Sequence, residues 1–165
     1  MDKNPLQMLF HWAETTPDRP YLHQPINDVW TTYSYAQVAD QVRRMAAALE
    51  TLDLPEGAKI GISGRNTAHW FMADMAISMA GYVSVGLYPK QAPEHITYIL
   101  EHSEASAVFV GPMPDIDEFM GALPGGINTI SFPYDGVPAC DHSWNELTAG
   151  AEPKQDYKAP DTDTL

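Results

Sequence analysis

Between Lys59 and Gly111 the chain alternates three short β-branched runs with two helical patterns, and this rhythm restricts the fold more than any other feature. Lys59–Ser63, Tyr82–Leu87 and Ala107–Val110 read as buried strands, and Thr67–Ala80 and Pro93–His102 read as helices. Strand–helix–strand–helix–strand at these spacings predicts right-handed crossovers in a mostly parallel sheet flanked by helices, an α/β fold. The Thr67–Ala80 helix carries Trp70, Phe71, Met72, Met75, Ala76, Ile77 and Met79 over nearly its whole circumference. A helix apolar all round is buried on more than one side, so core packing is the first reading of its methionines and lipid binding the second.

The flanking segments carry local start and stop signals. Asn4, Pro5 and Gln7 form a cap, a first-turn proline and a reciprocal partner, and Leu6, Leu9, Phe10 and Ala13 then make one apolar stripe. Tyr21–Gln24 and Val29–Tyr33, on either side of Asn27-Asp28, predict a small hairpin. Ser34 and Gln37 form a second capping box. Val38, Val42, Met45, Leu49 and Leu52 then space a helix over Tyr35–Leu52, with Arg43, Arg44 and Glu50 on what reads as its solvated face. Beyond Gly111 the prolines leave room for a short helix near Ile116–Leu123, a strand near Asn128–Phe132 and a final helical turn near Ser143–Ala149. Residues 1–150 are therefore read as one α/β unit. Residues 151–165 show no periodicity and read as a linker.

The 165 residues carry a formal charge of −13, which argues against a nucleic-acid-binding surface and against attraction to anionic lipid. No apolar run approaches the roughly 20 residues that span a bilayer. The first dozen residues lack the basic and apolar regions of a secretory signal. Cys140 is the single cysteine and cannot form an internal disulfide, so a cytoplasmic setting is expected.

Motifs for chemistry are sparse. There is no GxxxxGK[ST] phosphate loop and no GxGxxG fingerprint. Gly61-Ile62-Ser63-Gly64-Arg65-Asn66 stands where a strand turns into a helix, and a tight turn is its first reading, anion binding its second. The six histidines are scattered without a metal-binding spacing, and Ser63 lacks the glycine frame of a nucleophile elbow. No acidic cluster marks the strand ends, as a phospho-receiver domain requires. On residue patterns alone this is an α/β domain without a catalytic set.

Four segments, in order, resemble the early part of the adenylate-forming (AMP-binding) enzymes. Trp30-Thr31-Thr32-Tyr33-Ser34-Tyr35-Ala36-Gln37-Val38-Ala39 is similar to the first core motif of that superfamily, and Met79–Pro89, MAGYVSVGLYP, to its second. Gly61–Trp70 is similar to the intervening strand with its Asn-x-x-x-Trp helix start, and Gln91–Ser103 to the helix after the second motif. The Leu-Tyr-Pro ending and Tyr-Ile-Leu-Glu-His-Ser are most similar to long-chain acyl-CoA synthetases, that is, fatty acid–CoA ligases.

The resemblance implies an enzyme that activates a carboxylate with Mg-ATP to an acyl-adenylate and passes the acyl group to CoA. It further implies that this chain is the N-terminal subdomain. Asp161–Leu165 resembles the residues just ahead of the family's phosphate loop. On that reading no catalytic or metal-binding residue lies in the chain, which binds no cofactor by itself, while ATP, Mg and CoA belong to the full-length enzyme. Tyr88, Pro89 and Lys90 fall, by resemblance, near the CoA entry and acyl channel, where Lys90 meets a coenzyme phosphate or is simply a solvated loop lysine. Expected partners are fatty acid and CoA for the parent and the rest of the enzyme for this piece, with self-association through surface left uncovered. Two alternatives stay open. One is a piece of another adenylate-former, a fatty acyl-AMP ligase or a peptide-synthetase adenylation domain; the other is a standalone flavodoxin-like binding or interaction domain.

Overall fold

The computed structural model describes residues 4–26 and 28–156. Asn27, part of the expected hairpin turn, and residues 157–165, most of the expected linker, lie outside that range. Helix α1 (Pro5–Thr15) opens on the expected reciprocal cap. The Asn4 carboxamide accepts the Gln7 N–H at 2.8 Å and the Gln7 carboxamide accepts the Asn4 N–H at 3.1 Å. Strands β1 (Pro20–Ile26) and β2 (Val29–Ser34) pair antiparallel as a separate hairpin. Pro20 and Pro25 are tolerated because a two-stranded ribbon is all edge. Ser34 and Gln37 cap helix α2 (Tyr35–Glu50), whose Val38, Val42, Met45 and Leu49 are completely buried. Each such side chain contributes about 1.5–3 kcal/mol by leaving water.

The main sheet is five-stranded and parallel, in the order β4-β3-β5-β6-β7. Its strands are β3 (Lys59–Ser63), β4 (Val83–Leu87), β5 (Ala105–Val110), β6 (Asn128–Ser131) and β7 (His142–Ser143). Helices α3 (Ala68–Met79), α4 (Pro93–His102), α5 (Ile116–Gly121) and α6 (Trp144–Gly150) complete the unit. Period-two alternation sorts the strand side chains. Ile60, Ile62, Ala107, Phe109 and Ile130 pack beneath α1, α2, α3 and Trp144, whereas Leu87, Val108 and Val110 pack against Ile96 and Leu100 of α4 and Phe119 of α5. A Cβ on Gly61 would stand 3.0 Å from Val108 and 3.2 Å from Leu100, so glycine there lets α4 lie close on the sheet. Helix α3 is buried on several sides, as its all-round apolarity predicts.

Three local readings shift. Strand β5 starts two residues earlier than its apolar run, because Ala105 pairs with Lys59. Strand β7 was not anticipated, being two residues long and too short to show a period. The charges of α2 do not all face water. Arg43 and Arg44 each donate at 2.8 Å to backbone carbonyls of the segment 151–156, from Lys154 and Ala151, and Glu50 pairs with Lys154. These partners lie more than a hundred residues away in sequence, beyond the reach of local pattern.

Candidate functional site

In an open parallel sheet, ligands bind beyond the carboxyl ends of the strands, where the chain order reverses. Here that place lies between β3 and β5. It is shut by backbone. The Gly111 N–H donates to the Ser63 carbonyl at 2.9 Å, and the Arg65 N–H to the Pro112 carbonyl at 2.9 Å. Gly64 has φ +117°, and a Cβ on it would meet the Gly111 Cα at 2.7 Å; one on Gly111 would meet Phe132 and the Ser63 carbonyl at 2.9 Å. The Gly61–Asn66 turn is therefore a close-packing device. Ser63 is fully buried, its hydroxyl 3.9 Å from the Met113 sulfur.

Two clefts flank this closed seam. The larger, of about 560 Å³, lies between the β4–α4 loop and the β5–α5 loop. Lys90, Gln91, Pro93 and Ile96 line one side and Pro114, Asp115, Glu118 and Phe119 the other. It thus holds one cation facing two carboxylates over an apolar floor. Asp115 takes a left-handed backbone (φ 53°), makes no side-chain cap for α5 and lines the cleft. The smaller is a slot of about 260 Å³ lined by Gly64, Asn66, Trp70, Gly86, Leu87, Tyr88 and Pro89. The Tyr88 N–H donates to Gln91 Oε1 at 3.1 Å and closes the loop between the two. Of the three residues singled out from sequence, Tyr88 rims the slot at 76% exposure, Lys90 lines the larger cleft and Pro89 borders both. Sequence reading missed Trp70, Asp115 and Glu118 as cleft walls. The signal available was an Asp following Pro114 just past a strand, a pattern common in loops.

Away from the clefts, His69 is buried within 5.1–6.1 Å of the rings of Tyr33, Phe132, Tyr134 and Trp144, and its Nδ1 shares a 2.6 Å hydrogen bond with the Tyr134 hydroxyl. Burial pushes its pKa down to about 4. It is a core residue and does not open onto either cleft.

A doubly wound sheet whose switch point is closed by glycine packing and whose open clefts lie beside it defines a scaffold, and comparison with known proteins assigns the scaffold. Residues 9–163 match the family model described as AMP-binding enzyme, and the chain belongs to that family. Among curated relatives, the long-chain-fatty-acid–CoA ligase FadD15 of Mycobacterium tuberculosis is 26% identical over 92% of this chain. The long-chain-fatty-acid–CoA ligase heimdall of Drosophila melanogaster is 31% identical over 51% of it. The chain spans 26% of the length of FadD15 and 12% of heimdall. Among solved structures, a benzoate CoA ligase from Burkholderia xenovorans superposes on 98% of this chain with a TM-score of 0.78 and 25% identity, and 31% of that protein is covered. An acetoacetyl-CoA synthetase from Streptomyces lividans, 21% identical, shares the fold over 93% of the chain and 26% of its own, with a TM-score of 0.77.

Proposed function

We propose that this chain is the N-terminal scaffold portion of a long-chain fatty acid–CoA ligase. The similarity to FadD15 across 92% of the chain carries the reading. The whole enzyme forms an acyl-adenylate from a fatty acid and ATP with release of pyrophosphate; the CoA thiol then attacks the acyl carbonyl and AMP leaves. By the family resemblance, the groups that hold Mg-ATP belong to the rest of the longer protein, and on this reading the present portion is inactive by itself.

Its contribution is positional. The β4–α4 loop presents Tyr88 and Pro89 to the channel and Lys90 to a phosphate of CoA, as a point charge. Asp115 and Glu118 repel a phosphate from the opposite wall and confine it to the Lys90 side. In the full-length enzyme Lys90→Ala is expected to raise KM for CoA about 3- to 10-fold with kcat little changed, the signature of lost uniform binding. An unchanged KM removes Lys90 from the site. The 165-residue chain alone is expected to show no fatty-acid-dependent ATP–pyrophosphate exchange, and measurable exchange would overturn its inactivity. If the full-length protein makes acyl-AMP but no thioester, it is an acyl-AMP ligase instead.

A further inference from the structure

The larger cleft, between the β4–α4 and β5–α5 loops, carries charges that the fold leaves uncommitted. Lys90, Asp115 and Glu118 are all exposed on its walls. Among the described residues the ion pairs are Arg44–Asp40 and Lys154–Glu50, so Lys90 is paired with neither carboxylate. Asp117 stands next to Glu118 in the first turn of α5 and adds a third acid to that side. Beneath these groups Ile96 and Phe119, each 3% exposed, make an apolar floor. The cleft walls thus offer one positive and two negative charges, in a chain whose formal charge is −13.

CoA is a poor match to that set of charges. Its nucleotide end carries a ribose 3′-phosphate in addition to the diphosphate, and one ammonium serves a single phosphate as a point charge. Every further phosphate meets the wall of Asp115 and Glu118, where like charges raise the free energy of the bound state. We propose that Asp115 and Glu118 are specificity-determining residues of the ligase, selecting among thiol acceptors against the one that bears the extra ribose phosphate. The acceptor class they favour is a pantetheine thiol with fewer phosphate charges than CoA. Specificity is a difference of two affinities, and a repulsive element of this kind is a common way to create it. The inference rests on the reading that the thiol acceptor of the longer enzyme enters this cleft. All three charged groups are exposed, so the discrimination is modest and fades as salt screens it.

The test measures kcat/KM of the full-length protein for CoA and for dephospho-CoA, with Asp115→Asn/Glu118→Gln beside the parent. Both replacements keep the side-chain shape, and asparagine tolerates the left-handed backbone at position 115. At low ionic strength the parent is expected to use dephospho-CoA at least as well as CoA. The double variant should gain about 10-fold with CoA and no more than about 3-fold with dephospho-CoA, a difference that fades near 1 M salt, where the screening length is about 3 Å. A gain equal for the two acceptors, or one independent of salt, overturns the proposal and leaves the ligase reading intact. Calorimetric binding of the same two thiols, without ATP or fatty acid, separates the other cases. If dephospho-CoA binds the parent more tightly and the substitutions erase the difference, yet no thioester forms, the selectivity stands and the ligase reading fails. If neither thiol binds and neither is acylated, both fail.

Discussion

His69 is uncharged because of where it sits. Four aromatic rings from β2, the loop after β6 and α6 surround it, and the tyrosines among them, Tyr33 and Tyr134, have pKa values raised by burial and stay neutral. Burial is the cause of the lowered pKa of His69. The folded-state pKa of about 4 lies below the ordinary 6.5, so the unfolded chain binds the proton first as the pH falls. Stability is therefore complete above about pH 6.5 and declines toward pH 4, by roughly 3 kcal/mol from this residue. His69→Gln should flatten urea midpoints measured between pH 6.5 and 4.5 relative to the parent; parallel slopes for the two proteins would show that His69 does not titrate as described. Nothing in the local sequence marks this histidine among the six. Its surroundings are assembled from segments 33 to 144, and only the fold brings them together.

At the scale of elements, α2 does two jobs with two faces. Its apolar stripe fills the core, as the spacing of Val38, Val42, Met45 and Leu49 predicts. Its charged side clasps residues 151–156, with Arg43 also resting over the Phe10 ring at 4.1 Å and Arg44 braced by Asp40. Each charge-assisted hydrogen bond to a backbone carbonyl is worth about 1.5–3 kcal/mol when it is protected from water and less when exposed. The double variant Arg43→Ala/Arg44→Ala is expected to release this segment. Cleavage after Lys154 by a lysine-specific protease should then be about tenfold faster, while cleavage within the core is little changed. Equal cleavage rates would mean the clasp contributes nothing. The apolar half of α2 was legible in sequence because helical periodicity is local; the clasp was not, since an arginine bound to a carbonyl and one in water look alike in a sequence.

For the whole molecule, the sheet order and the closed switch point make a scaffold whose open clefts lie beside the seam. The standalone flavodoxin-like alternative weakens at this scale too, because the crevice such a domain uses is filled by Gly64 packed on Gly111.

Local sequence was enough for the alternation of strand and helix, the two capping boxes, the buried stripes of α1 and α2 and, through ordered motifs, the AMP-binding family. All of these depend on residues within a few positions of one another, or on motif order along the chain. Tertiary contacts alone set the closure of the switch point, the placing of Lys90 on one cleft with Asp115 and Glu118, and the aromatic box around His69. Each of these is a contact, or the lack of one, between strands and loops far apart in sequence. Packing, not local preference, sets which of those meet.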